Sequence, residues 1–242
     1  MIEPVTPGEG RVVLHLFYRV DRGVAPTLPP GAGKDLADVL THWDERTQLH
    51  VFSVPGHKAD VMLMAIDEDL ATLRALQSAV EGSLAGPALE RTWSYLSLTE
   101  GSEYTTTPEQ YRDEMAAKGV EEPDLSRRVD EFAERMATYT QHKLYPDMPR
   151  WELACFYPMS HRREGDDNWY SLDFDERKRL MGDHGRSGRA YTGRILQLVS
   201  GSTGLDEWEW GVTLFAHDLH DVKDIVYTMR YDEASARYAE FG

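Results

Sequence analysis

The stretch "CFYPMSHRR", residues 155–163, sets a phenol, an imidazole and two guanidinium groups close together. Tyr157 can give up a hydrogen atom or a proton, and His161, Arg162 and Arg163 can donate hydrogen bonds to an anion beside it. The chain as a whole has little positive charge to spare. Its 26 Lys and Arg stand against 42 Asp and Glu, for a formal net charge of −16. A local cationic cluster in such a chain points to an anionic ligand, and a solvated loop with its own ion pairs is the plainer alternative. The overall charge opposes binding to nucleic acid and to anionic membrane surfaces.

The nine histidines are His15, His42, His50, His57, His142, His161, His184, His217 and His220, and none stands in an HExxH or Cys/His zinc spacing. The single cysteine excludes an intrachain disulfide and fits a reducing compartment. His217 and His220 flank Asp218 and read as a solvated turn, whereas His15 and His50 fall inside strands and read as structural. His184 ends "ERKRLMGDHG" with Gly185 as the expected stop, where a histidine either caps the helix or binds a metal. "HGRSGRAYTGR" and "SGSTGLD" lack the strand-to-helix context of a phosphate loop, so turn geometry accounts for them. The segment "MIEPVTPGEG" has no basic run followed by an apolar one, and no apolar stretch reaches the length of a membrane span. The expectation is a soluble cytoplasmic protein without stable membrane insertion.

Hydrophobic periodicity supplies the elements that would hold these groups. Residues 1–104 read as strand "RVVLHLFYRV", helix "KDLADVLTHWDER", strands "LHVFSV" and "DVMLMAI", helix "DEDLATLRALQSAVEGSL" and strand "TWSYLSL", a βαββαβ order. Residues 105–148 read as a helical connector, opened by the Thr107 cap with Pro108 behind it and carrying Leu125, Val129, Phe132 and Met136 at helical steps. Residues 149–242 repeat the βαββαβ order. A strand at 151–157, with Trp151, Leu153, Cys155 and Tyr157 on one face and Pro158 as its stop, leads to helix "DFDERKRLMGDHG". Strands "GRILQLVS" and "WEWGVTLFA", helix "DLHDVKDIVYTMR" and a last strand "SARYAEF" follow. The fold class is α+β: two ferredoxin-like units whose sheets close into a barrel of the dimeric-α+β type.

From "RWELACFYPMSHRR" through "NWYSLDFDERKRLMGDHGRSGRAYTGRILQLVSGSTGLDEWEWGVTLFAHD" to "MRYDEASARYAEFG", the sequence resembles the coproheme decarboxylases of the chlorite-dismutase-like superfamily. The match covers nearly the whole C-terminal half, and the N-terminal half shares the βαββαβ pattern. The resemblance implies a homopentamer that binds coproheme III and, with hydrogen peroxide, converts two propionates to vinyls to give haem b. It further implies transient contact with a coproporphyrin ferrochelatase. It casts Tyr157 as the radical tyrosine beside a propionate, His184 as the neutral proximal iron ligand and Gln197 as the distal glutamine, with Met159 in the same block as Tyr157. Arg230 and Ser235 match propionate-binding positions, and Arg189, Lys143 and His161 are further candidates. The family often has lysine where this chain has His161. Trp208 matches a tryptophan near the porphyrin, and His142 resembles the distal base of actinobacterial-type members. A haem peroxidase or chlorite-degrading relative and a non-catalytic haem carrier are the competing readings. No residue here matches the distal arginine of chlorite-degrading members.

Overall fold

The computed structural model describes residues 8–242. Its strands are β1 (Val12–Val20), β2 (Gln48–Ser53), β3 (Val61–Asp67), β4 (Leu89–Thr99), β5 (Leu153–His161), β6 (Ile195–Gly201), β7 (Trp210–Ala216) and β8 (Ala239–Phe241). Its helices are α1 (Ala32–Asp44), α2 (Leu70–Glu81), α3 (Pro108–Ala117), α4 (Asp124–Leu144), α5 (Phe174–Arg189), α6 (Leu219–Met229) and α7 (Glu233–Tyr238). The strands form one antiparallel sheet in the order β2-β3-β1-β4-β6-β7-β5-β8. Each half is therefore a contiguous four-stranded unit with its first strand inside, as the repeated βαββαβ order requires.

The units meet at a short seam, where β4 pairs with β6 only through Leu98↔Gly201 and Thr99↔Ser200. Their sheets also pack face to face. Val13, Met64 and Ile66 of the first unit share a core with Leu198 and Phe215 of the second, and His15 Nε2 lies 3.0 Å from Thr213 Oγ1. The opposite face of each unit carries its helices. In the first, Leu73, Leu76 and Val80 of α2 cover Leu14, Leu16, Leu49 and Leu63. In the second, Val222 and Ile225 of α6 cover Ile195, Val212 and Leu214, while Leu153, Cys155, Tyr157 and Met159 on the same face stay only partly buried. The barrel expected from sequence is thus closed by packing across a shared interior, and β2 and β8 remain the unpaired ends of the strand order.

Three local expectations are corrected. Pro158 does not stop its strand: β5 runs on to His161, with Pro158 opposite Gly211 of β7. Pro158 O accepts from Gly242 N at 2.9 Å, so the missing N–H points to the β8 side and leaves the β7 ladder intact. Trp151 lies before β5 and packs with the interior core rather than beside Tyr157. "SARYAEF" is mostly α7, with a strand of three residues after it.

Candidate functional site

His184 owes its position to a helix that outruns its apparent stop. Asp173 caps α5 by accepting from Glu176 N at 2.8 Å, and Asp175 and Glu176 complement the dipole in the first turn. Arg179 pairs with Glu176 at 2.7 Å and with Asp183 at 3.2 Å. Gly185 does not end the helix, which continues to Arg189, so His184 is an interior residue and the capping alternative falls. It lies one turn beyond the buried Leu180 and shares that residue's side of the helix. Its Nδ1 lies 3.1 Å from Asp232 Oδ2, and Ser187 donates to the other oxygen of the same carboxylate at 2.9 Å. Burial pushes the imidazole below its ordinary pKa, with the Asp232 charge opposing. The arrangement is a neutral histidine whose Nδ1–H is committed to a carboxylate, leaving the Nε2 lone pair for a metal.

Across from α5 stands the half-buried face of the second sheet. Register sets Gln197, Leu214 and Cys155 in one row, Val199, Val212 and Tyr157 in the next, and Gly201, Trp210 and Met159 in a third. Gln197 is exposed although Ile195 and Leu198 beside it in β6 are buried. Tyr157 is held protonated, its phenol pushed up to about 12 by burial, and its ring meets Phe241 edge-on at 5.9 Å.

His161 closes this face at one end. Its ring stacks on Trp169 at 4.2 Å and meets Trp210 edge-on at 4.9 Å. Its Nδ1 is buried with no partner among the described residues, and burial drives its pKa down to about 4. The loop after it is latched by Glu209, which is nearly fully buried and accepts from His161 N at 2.9 Å, from Tyr170 Oη at 2.6 Å and from Arg163 Nη2. The anion that meets Arg163 is therefore the protein's own, and Arg162 sits 3.9 Å from Glu240. Of the basic side chains that follow Tyr157 in sequence, only His161 belongs to the face.

The remaining candidates divide. Ser235 is buried one turn from Asp232, and its N–H donates to Asp232 O at 2.9 Å. Arg189 ends α5, and its Nη1 lies against Gly185. Lys143, in the last turn of α4, has a pKa lowered by burial and held up by the charge of Glu100. One expectation does not fit the geometry, and two further candidates lie exposed. Trp208 packs beside Pro158 and Gly242, on the opposite side of β5 from Tyr157, and Trp210 is the tryptophan of the Tyr157 face. Arg230 lies exposed at the end of α6, its guanidinium 3.6 Å from the ring centre of Tyr227 and bonded to Tyr231 Oη at 2.9 Å. His142 is exposed near the end of α4, next in sequence to Lys143. Asp232, Glu209 and Trp210 were missed because their partners lie far away in sequence, and Trp169, although near His161 in sequence, lies outside the strands and α-helices. Only the N-cap position of Asp232, ahead of "EASARY", gives any local signal.

Such a face fits a flat ligand, apolar at its centre, polar at its rim and carrying a metal for His184. The orphaned His161 nitrogen and the uncovered Gln197 are what that ligand would satisfy.

The model of the family described as Chlorite dismutase matches residues 31–242. A protein of Halobacterium salinarum that bears a provisional heme-binding name is 40% identical over 244 residues, covering 97% of this chain and 46% of its own. A Natronomonas pharaonis protein with a similar name is 36% identical, covering 99% of this chain and 39% of its own. The chain thus spans less than half the length of these curated relatives. A solved heme-binding protein from Thermus thermophilus superposes with a TM-score of 0.81 at 34% identity, over 100% of this chain and 92% of that one. A mutant chlorite dismutase from Candidatus Nitrospira defluvii superposes at 0.70 with 18% identity, over 97% and 88%, a likeness of fold alone.

Proposed function

Because the chain belongs to the chlorite dismutase family, we propose that the face between β5–β7 and α5 binds haem, and that its substrate is coproheme III, decarboxylated with hydrogen peroxide to haem b. The observation that carries the reading is His184, kept neutral and directed by Asp232, set across from a sheet face on which Tyr157 is a protonated phenol. Each propionate consumes one peroxide, as –CH2CH2COOH + H2O2 → –CH=CH2 + CO2 + 2 H2O. The bound iron porphyrin supplies the oxidising power. His184 Nε2 would hold the iron, with Asp232 keeping that nitrogen unprotonated and fixing the ring. Tyr157 contributes placement and an O–H bond. Were the phenol oxidised to its radical, its proton and electron passing to the peroxide-derived oxidant, it would take a hydrogen atom from the propionate β-carbon and return to Tyr–OH, and loss of CO2 with the second electron to the same oxidant would leave the vinyl. Gln197 offers an amide N–H to a small ligand on the sheet side, and Met159 and the Trp210 ring pack on the porphyrin edge. His161 and Lys143 bind carboxylates at the rim, with Ser235 and Arg189 candidates for the others.

The same reading takes the protein as cytoplasmic, homopentameric and served by a coproporphyrin ferrochelatase. Light scattering should give a mass near five times 27.6 kDa; a monomer at micromolar concentration opposes it. Among the described residues no helix is long and apolar enough to cross a membrane. Mass spectrometry during a peroxide titration of the protein with coproheme III tests the activity. Two successive losses of one CO2 and two hydrogens are expected. Tight binding followed by bleaching, with no such loss, would leave haem carriage as the function, which the names of the relatives also suit.

A further inference from the structure

Glu100 follows β4 directly, at the seam where Thr99 pairs with Ser200. Its carboxylate lies over Gly201 so closely that a Cβ there would overlap it. Gly201 is on the Tyr157 side of β6, because alternation sends positions 195, 197, 199 and 201 the same way. The Trp210 indole donates from Nε1 to Glu100 Oε1 at 3.3 Å. Thr99 Oγ1 donates to Leu144 O at 2.6 Å, which brings the last turn of α4, and Lys143 with it, up to the same carboxylate. Lys143 makes no direct ion pair among the described residues, and the Glu100 charge is what opposes the burial of its ammonium. Burial raises the Glu100 carboxyl; the Trp210 bond and Lys143 hold it down, and Glu103 raises it further.

A protein carboxylate thus stands at a corner of the groove where a ligand carboxylate is expected. Two carboxylates at that corner repel one another, and a half-buried ammonium without any counter-charge is costly. We propose that Glu100 is a place-holding carboxylate: in the free protein it is the counter-charge of Lys143 and the acceptor of the Trp210 N–H, and a ligand carboxylate exchanges with it. Glu100 thereby sets the preference of the groove between a porphyrin with a propionate at that corner and one that has lost it. When the propionate has become a vinyl, Glu100 returns and the ammonium is not stranded beside an apolar product. This rests on the haem reading above.

Glu100→Gln keeps the size and an acceptor for the indole while removing the charge. Affinities for ferric coproheme and for haem b, measured on wild type and variant, should shift apart, the Kd ratio of haem b to coproheme rising about tenfold, the scale of one charge-assisted bond. Equal changes for both porphyrins, or none, overturn the exchange. In a Lys143→Met background the separation should shrink, because only the repulsion between the two carboxylates remains, and an undiminished separation overturns the role of Lys143. Without any porphyrin, the pH midpoint for acetylation of Lys143, followed by peptide mass spectrometry, should fall in Glu100→Gln. An unmoved midpoint overturns the pairing whatever the ligand. Wild-type protein that binds neither porphyrin overturns the haem reading and the exchange with it, and the wild-type data alone reveal that case.

Discussion

His184 and Tyr157 are held by opposite means, the one by a hydrogen-bonded carboxylate and the other by alternation along a strand flanked by apolar neighbours. Asp232→Asn keeps the shape of the first arrangement and removes its charge. Ferric coproheme affinity should fall about 10- to 100-fold, the range for a group that orients a metal-bound histidine; a titration showing wild-type affinity would remove Asp232 from the site. Tyr157→Phe keeps the ring against Phe241 and removes the O–H. Binding should stay within about twofold while haem b formation disappears, because a π-packing contact survives and the hydrogen-abstracting group does not. Chromatography after peroxide addition would then find unreacted and bleached coproheme, and haem b at the wild-type rate would sink the radical role. The strand position of Tyr157 and the helical position of His184 were legible in sequence because each sits in a block of local residues. Glu100 and Trp210 were not, since their meaning arises from the β4–β6 seam.

α5 shows why element limits were harder to read than element types. Gly185 carries a weak helix propensity, a cost of about 1 kcal/mol relative to Ala, which made it a plausible stop. The capped and ion-paired first half of the helix, and the anchorage of Ser187 on Asp232, carry the helix past it. Pro158 misled in the same way, since a missing N–H matters only on the side where a partner waits. The repeated βαββαβ order was legible because alternation and helical spacing are local, while the shortness of β8 reflects where its pairing with β5 ends. If the cap at Asp173 helps to hold His184 in place, Asp173→Ala should cost about 1 kcal/mol and lower Tm by about 2–4 °C for a chain of this size. Calorimetry with and without coproheme checks this, and an unchanged Tm would make the Glu176 N–H bond dispensable.

At the scale of the whole molecule, several histidines are held neutral by full burial, as His15 and His50, or by partial burial, as His161 and His184. His15 is pushed down to about 3, and His50 and His161 to about 4, from 6.5, and His184 is lowered too, all chiefly by burial. Each binds a proton more readily unfolded than folded, so the stability they contribute is complete above pH 6.5 and is lost as pH falls toward 4. For His15 and His161 the loss by pH 5 is about 2 kcal/mol apiece. Urea midpoints at pH 7.5 and pH 5 should differ accordingly, and equal midpoints would show that these rings are solvated.

The two-pair seam between β4 and β6 carries a kinetic consequence. The strands it joins come from units that are otherwise separate in the sheet, and Gly201 of the ligand face is one of its four residues. So short a junction is a place where amide protons can escape to solvent by local opening, at less cost than global unfolding. A ligand bridging the β6 face and the end of α4 can bind only while the junction is shut. Deuterium uptake at Leu98 and Gly201, whose amides face the junction while that of Thr99 is bonded to Arg11 O, should slow when coproheme binds, while the interior of β1 keeps its rate, which would make the seam an internal clock for occupancy of the groove.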